Sequence, residues 1–340
     1  MNAYVEYDAN VFRDKTILLP CDDPEWSNFT KFFAQNFEQY GIKKVISTSF
    51  APESKKIKAW EPTLFETESP YFDADKSKTN GKIFILDRDV NGNGKIDIED
   101  LQWDYLEGDG DFRSEEVKKL RDEADIIITN PPFSLFREFM GWIMESGKKF
   151  AVIGNQNAIT CKDIFPLIIK NKCWYGNGFK GGAAHFISKY QDYATASDHK
   201  DGMIRVSGVI WLTNIDHGRR HRPLDLMTME DNIMYSRHKE VRGIGYHHYD
   251  NYDAIEVPYS DAIPIDYDGI MGVPITFLDK YCPEQFEIIW QAIGNTRASA
   301  PKEVLEELNY KQHPDDRGGC AIVNGKRTYG RILIRKRPQQ

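Results

Sequence analysis

The sequence predicts an α/β protein built on a doubly wound, largely parallel sheet. Three observations predict it. Short apolar runs at Thr16–Leu19, Lys44–Thr48, Asp125–Thr129 and Phe150–Ile153 read as buried strands. Stretches with helical apolar spacing separate them, which gives βαβ units. The run Asp125–Thr129 then ends on Asn130-Pro131-Pro132-Phe133. Two prolines there stop a central strand, since proline lacks an N–H and fixes φ.

The elements follow in order. Thr16–Leu19 is a strand stopped by Pro20. Residues 26–40 form a helix with Trp26, Phe29, Phe32, Phe33 and Phe37 on one stripe and Gly41 as its C-cap. Lys44–Thr48 is the second strand. Residues 51–107 read as an insertion, polar and proline-punctuated at first, with Ile83–Leu86 as a hairpin arm. Ser114 caps a helix to Arg121, with Val117 and Leu120 inward. After the Asp125–Thr129 strand, Leu135–Met144 is an amphipathic helix ending near Gly147. Phe150–Ile153 is a strand and Ile164–Lys170 a helix. Residues 176–204 are glycine-rich and polar and are expected to be loop, with Val206–Leu212 rejoining the sheet. Beyond 214 the chain is rich in loops, aromatics and basic residues. The expected division is therefore 1–213 as a catalytic domain and 214–340 as a second region that partly rejoins it.

With 340 residues and 41% hydrophobic content, the chain is long enough for a real core. Aromatics at 13% exclude a disordered chain. The net charge of −8 argues against a simple polyanion-binding surface, yet Arg219, Arg220 and Arg222 cluster and the C-terminus is basic. Five scattered cysteines with no zinc spacing predict reduced thiols and a cytoplasmic setting. No apolar run has the roughly 18–20 residues a membrane helix needs.

Asn130–Phe133 is where chemistry is expected. Open α/β sheets bind ligands at the carboxyl ends of their strands. An amide oxygen at Asn130 and the Pro131 carbonyl are acceptors for an exocyclic amine, and Phe133 offers a ring to stack on a base. Such an amine is neutral, so holding it in line with a methyl donor matters more than a strong base. Asn155 ends the next strand and is a candidate for the target-base pocket; the plain alternative is a polar residue capping the strand end.

Two further features stand beside it. Cys21-Asp22-Asp23-Pro24 lies at the first strand's tip, directly before a helix whose N-terminus favours a carboxylate. Asp22 or Asp23 could meet an ammonium; the plain alternative is a helix N-cap. Residues 89–100 match an EF-hand loop, with Asp89, Asn91, Asn93, Asp97 and Asp100 at ligand positions and Gly94 at the turn. They suit a structural Ca2+ ion, or an Asn-Gly hairpin turn of the same composition. Asp100 replaces the usual glutamate, which weakens bidentate capture.

Four strings carry a resemblance. Asn130 to Arg137, Cys21-Asp22-Asp23-Pro24-Glu25-Trp26-Ser27-Asn28-Phe29, Gly108-Asp109-Gly110-Asp111-Phe112-Arg113-Ser114-Glu115 and Gly272 to Leu278 together resemble the EcoRI-type adenine-specific DNA methyltransferases, from about Lys15 to about Lys336. The resemblance implies a Rossmann-like, S-adenosylmethionine-dependent domain with a C-terminal target-recognition region. It implies methylation of adenine N6 in double-stranded DNA at a specific site, with the base flipped out. It implies Asn130, Pro131, Pro132 and Phe133 as catalytic. Cys21, Asp22, Asp23, Trp26, Asn28, Asp109, Asp111 and Phe112 are implied at the donor. The basic cluster of Arg219, Arg220 and Arg222 is, on its charge, expected at the phosphates of the DNA. It implies a bacterial or phage-encoded monomer working alongside, but not bound to, a restriction endonuclease. Two departures stand out. The glycine-rich loop usual in methyltransferases is missing. About fourteen residues precede the first strand, without the Phe-containing motif that family members place over the donor. The alternatives are a non-catalytic DNA-binding paralogue and an amino-methyltransferase acting on cytosine N4, RNA or a protein amide.

Overall fold

The computed structural model describes residues 1–22, 27–52, 64–180, 182–187 and 203–338. The chain divides into two compact units. The first takes Met1–Ala158 with Gly176–Asp216, and the second Ile159–Tyr175 with His217–Gln340.

The first unit carries β1 (Thr16–Leu19), β2 (Lys44–Ser49), β3 (Lys82–Leu86), β4 (Gln102–Tyr105), β5 (Ile126–Thr129), β6 (Lys149–Asn155), β7 (Trp174–Lys180, from Gly176 onward in this unit), β8 (Ala184–Ile187), β9 (Met203–Val206) and β10 (Val209–Thr213). Eight of these form one mixed sheet in the order β4-β3-β2-β1-β5-β6-β10-β7. β2, β1, β5 and β6 run parallel. β3 and β4 add an antiparallel edge beside β2, and β10 is antiparallel to β6. β8 and β9 form a separate antiparallel pair.

β1 and β5 are short because they are central. Every residue of Thr-Ile-Leu-Leu and of Ile-Ile-Ile-Thr is buried, as expected for a parallel strand covered on both faces. Side chains alternate between faces. Ile17, Leu19, Ile126 and Ile128 therefore share one face, where Phe33, Phe37 and Tyr40 cover them. The residues before β1 belong to this core. A helix spans Asn2–Tyr7, and Tyr4 and Phe12 are 2% and 1% exposed.

Three expectations need correction. The helix expected over 26–40 is broken into Asn28–Gln35 and Phe37–Tyr40, with Ser27 capping the first by accepting from the Phe29 and Thr30 amides. Trp26 lies outside the described residues. Within the span 176–204, expected as loop, the described residues hold most of β7, all of β8 and the start of β9, while 181 and 188–202 lie outside the described residues. Its glycines misled because strand glycine usually signals weakness. At Gly176 a Cβ would lie 2.6 Å from Tyr4 Oη and 2.7 Å from Trp211 Cβ, so close packing explains the glycine. The strand expected from 206 starts at Val209, after a turn with Gly208 at φ +72°.

The second unit is also more regular than its sequence suggests. β11 (Ile255–Glu256), β12 (Met271–Pro274), β13 (Phe286–Ala292) and β16 (Arg331–Lys336) make a sheet in the order β11-β12-β16-β13. β14 (Ile322–Val323) and β15 (Lys326–Arg327) form a small hairpin. Arg331 on β16 grips Glu256 on β11 through Nε at 3.0 and 3.1 Å, tying non-adjacent strands. No helix among the described residues is long and apolar enough to cross a membrane.

Residues 89–100 connect β3 to β4, and the EF-hand expectation fails there. No helices flank the loop apart from the short 3-10 turn Ile98–Asp100. Its oxygens accept from the loop's own amides. Asp89 takes Gly92 and Gly94 at 2.6 and 2.7 Å, and Asp100 takes Val90, Asn91 and Asp97 at 2.8, 3.1 and 3.0 Å. Asn91 takes Asn93, Asn93 takes Lys95, and Asp97 takes Glu99. These are side chain-to-backbone turns of the kind Asp and Asn favour. Among the described residues no three His, Cys, Asp or Glu side chains gather so as to hold a metal. The hairpin alternative accounts for the pattern.

Two glycines of similar φ should behave differently. Gly110 has φ +80°, and a Cβ there would lie 2.3 Å from the Ser49 carbonyl oxygen. Gly92 has φ +75° and nothing within 4 Å. Gly110→Ala is expected to cost more than about 3 kcal/mol, and Gly92→Ala about 1 kcal/mol, from the denaturant midpoint. Equal losses would show that the backbone is not tightly packed against Ser49.

Candidate active site

Chain direction through the sheet reverses between β1 and β5. From β1 the chain crosses to β2 on one side, and from β5 to β6 on the other. Such a switch point opens a crevice at the carboxyl ends of the two strands. Pro20, Cys21 and Asp22 follow β1 there, and Asn130 and Pro131 follow β5.

Asp22 is the hub. Its carboxylate is 6% exposed, and it accepts from Ser27 Oγ at 3.0 Å and from Thr129 Oγ1 at 2.5 Å. Its backbone N–H donates to the Thr48 carbonyl at 3.0 Å, and its carbonyl accepts from the Ser47 hydroxyl. Thr48 Oγ1 in turn donates to the Pro20 carbonyl at 3.0 Å. The tips of β1, β2 and β5 are thus tied through one residue. The same Ser27 hydroxyl that donates to Asp22 caps the Asn28–Gln35 helix. Cys21 is partly exposed, and Asn28 is exposed on the first turn of the helix. Asp23 lies outside the described residues.

Asn130 is partly buried, and its side-chain oxygen is fully enclosed with no hydrogen-bond partner among the described residues. An enclosed acceptor left unpaired costs about 1–3 kcal/mol, so such an atom points to a ligand donor. Pro131 is buried, while Pro132 is exposed and precedes a 3-10 turn over Phe133–Leu135. Phe133 is partly exposed. With Phe29, Phe186, Val206 and Trp211 it packs against Ile153, Ala184 and Val209. An enclosed amide acceptor beside an aromatic and apolar wall suits a planar base carrying an amino group.

The Gly108–Arg113 string is placed by a different constraint. Gly81 and Gly110 close on the Ser49 carbonyl, where a Cβ on either would lie within 2.6 Å, so these glycines serve chain packing. The Asp109 carbonyl accepts from the Ala51 N–H at 2.8 Å. Asp111 is bound by Arg113 through its backbone N at 2.8 Å, Nε at 2.9 Å and Nη2 at 2.6 Å. Arg113 hydrogen bonding holds the Asp111 carboxyl below its ordinary range. Phe112 is 4% exposed and meets Phe139 and Trp142 edge-on at 5.0 and 5.8 Å. Asp111 and Phe112 are therefore engaged in local structure, and the Asp109 carboxylate accepts from the Asp111 N–H at 3.1 Å.

Other expected residues have local partners. Asn155 clamps the turn before β10. Its Nδ2 donates to the Ser207 carbonyl at 2.8 Å and its Oδ1 accepts from the Asn157 N–H at 2.9 Å. That is a capping role, which uses one of the two Nδ2 hydrogens and one of the two Oδ1 lone pairs. In the second unit, Arg219 pairs with Asp279, and Arg220 is 7% exposed, bonded to Asn171 and stacked over Trp174 at 3.9 Å. Arg222 alone of the three is exposed. Thr129, Ser27, Phe186 and Trp211 were not singled out in the sequence. A threonine closing an apolar strand looks like strand, and the partners of Thr129, Phe186 and Trp211 are distant in sequence, while Ser27 serves both as a local cap and as a donor to Asp22.

Comparison with known proteins fits this geometry. Residues 1–337 match the family described as adenine-specific methyltransferase EcoRI. The chain is 36% identical to the type II methyltransferase M.EcoRI of Escherichia coli over 341 residues, covering 99% of this chain and 90% of that protein. It is 32% identical to M.MgeORF184P of Mycoplasma genitalium, covering 98% and 92%, and 31% identical to M.MpnI of Mycoplasma pneumoniae, covering 96% and 89%. Both are also named type II methyltransferases. No solved structure matches the chain.

Thr129→Val keeps the shape of a wholly buried side chain and removes its bond to Asp22. It is expected to destabilise the fold by about 1–3 kcal/mol in urea and to weaken S-adenosylmethionine binding by calorimetry. Unchanged values for both would remove Thr129 from the site. In the second unit, Arg220→Ala is expected to cost about 2–4 kcal/mol and Arg222→Ala under about 0.5 kcal/mol, read by melting temperature. The reverse order would mean that Arg220 faces solvent.

Proposed function

The chain belongs to the EcoRI family of adenine-specific methyltransferases, and we propose that it transfers a methyl group from S-adenosylmethionine to N6 of a specific adenine in double-stranded DNA. The unpartnered, enclosed oxygen of Asn130 carries this reading. An adenine amino group would give it the N–H it lacks. The Pro131 carbonyl, freed from the sheet by the prolines around it, accepts the second amino hydrogen. Two acceptors on one amine orient its lone pair and draw density toward nitrogen. Phe133 holds the ring by stacking. The base cannot reach this crevice from within the stack, so it is flipped out.

Asp22 suits the ammonium of the donor, and the positive end of the Asn28–Gln35 helix dipole suits its carboxylate, the Phe29 and Thr30 amides there being taken by Ser27 Oγ. S-adenosylmethionine supplies an electrophilic methyl on a sulfonium. The protein's contribution is alignment, worth several kcal/mol in barrier when both partners are held in reacting geometry. Cys21, Asn28 and Asp109 are assigned to the donor side on the family pattern. Target recognition is assigned to the second unit. The type II designation of the relatives supports a role as the modification partner of a restriction endonuclease. An intact Asn130–Phe133 string speaks against a non-catalytic paralogue.

Asn130→Ala is expected to leave DNA binding largely intact and to lower methyl transfer at least about a hundredfold. Sequencing of modified bases in DNA from cells expressing the chain tests target and activity together. Methylation of cytosine, or near-normal turnover by the variant, would overturn the reading.

A further inference from the structure

We propose that the β14–β15 hairpin of the second unit is a DNA-entering element, with Lys326 and Arg327 on phosphates and the Tyr329 ring stacking on bases. The inference rests on the function proposed above. Tyr329 is 89% exposed, the highest value among the exposed large apolar or aromatic side chains described. A tyrosine ring left in water would be unremarkable on a loose strand end, yet this one sits on a fixed frame.

The frame is built residue by residue. Asn324 and Gly325 have φ of +50° and +72°, the two left-handed positions that a tight two-residue hairpin turn needs. The Gly325 N–H donates to Asp250 Oδ2 at 2.7 Å, and Ile322 N–H donates to Asn251 Oδ1 at 3.0 Å. The Thr328 N–H returns to the Ala321 carbonyl at 2.9 Å. The Tyr329 carbonyl accepts from Thr328 Oγ1 at 3.0 Å and from Arg331 Nη1 at 3.3 Å. At Gly330 the backbone is drawn inward, where a Cβ would lie 3.0 Å from Ile293 and 3.1 Å from Ile275. The backbone on either side of the ring is pinned while the ring itself projects. Little ordering entropy remains to be lost on binding.

Charge identifies the partner. Further along the same C-terminal segment, Arg331 pairs with Glu256, Arg335 with Glu287 and Glu307, and Lys336 with Asp268. Lys326 and Arg327 are exposed, and neither makes an ion pair or side-chain hydrogen bond among the described residues. Two unneutralised cations beside a projecting ring, on a chain of net charge −8, fit a polyanion that also offers π-faces. DNA is such a partner.

Modified-base sequencing first defines the site methylated by the wild type. A duplex of that site, with 2-aminopurine in place of the target adenine, then reports affinity and unstacking together. Tyr329→Ala is expected to weaken site-specific binding about tenfold or more and to reduce the fluorescence rise, with an unchanged melting temperature. Tyr329→Phe should behave as wild type. Lys326→Ala with Arg327→Ala should flatten the slope of log K against log salt by roughly 0.9 for each phosphate that is no longer neutralised. Wild-type affinity and fluorescence in Tyr329→Ala, or an unaltered slope in the double variant, would overturn the hairpin assignment while leaving the methyltransferase reading standing. Absence of methylated adenine with the wild type would instead overturn that reading, and the inference with it.

Discussion

The hydrogen bond from Thr129 to Asp22 joins two strand tips that the chain reaches 107 positions apart. The candidate crevice depends on it. β1 and β5 are neighbours in the sheet, but sheet bonding ends at Leu18 and Ile127 in their register. Beyond that point nothing in the ladder fixes one tip against the other. Asp22 supplies the fixing. It takes hydrogen bonds from Thr129 on β5 and from Ser27 at the helix start, while its backbone is held by Ser47 and Thr48 on β2. A buried carboxylate is tolerable only with such donors around it. The requirement that stabilises Asp22 therefore also sets where Asn130 begins.

Legibility in the sequence followed the range of the interactions. β1 and β5 could be read because a strand buried on both faces must be apolar throughout, whatever surrounds it. The Ser114 cap and the Gly147 stop could be read because their partners lie within four residues. Asn130–Phe133 was legible because two prolines leave few structures open to a strand end. β7 was not, because Gly176 is explained only by Tyr4 and Trp211, both remote in sequence. The sheet of the second unit was hidden for a related reason. Its β11 and β12 are two and four residues long, too short for a period to show.

The loop over 89–100 marks a limit of spacing as evidence. Calcium loops and hairpin turns both need short oxygen-bearing side chains at alternate positions with a glycine between. Here every ligand-position residue singled out has its oxygen directed to a backbone N–H of the same loop. Asp100 takes three such amides, which hold its carboxyl below the ordinary range. Metal binding needs several carboxylates to converge, and convergence is a property of the backbone path, which spacing does not report.

Charge separates in the same way once partners are known. Arg219, Arg220 and Arg222 form one basic string on paper, but Asp279 lies 60 residues from Arg219 and neutralises it, and Trp174 and Asn171 enclose Arg220. The basic C-terminus divides likewise, with Arg331, Arg335 and Lys336 facing carboxylates. An acidic protein cannot use its long-range field to attract DNA. It must rely on the few cations its own acids leave unpaired, set on a backbone stiff enough to hold them outward. A tight hairpin turn provides that stiffness at low cost in chain length. This is why the hydrogen-bonding pattern around Asn324 and Gly325, rather than the number of basic residues, decides where a polyanion surface can be sought.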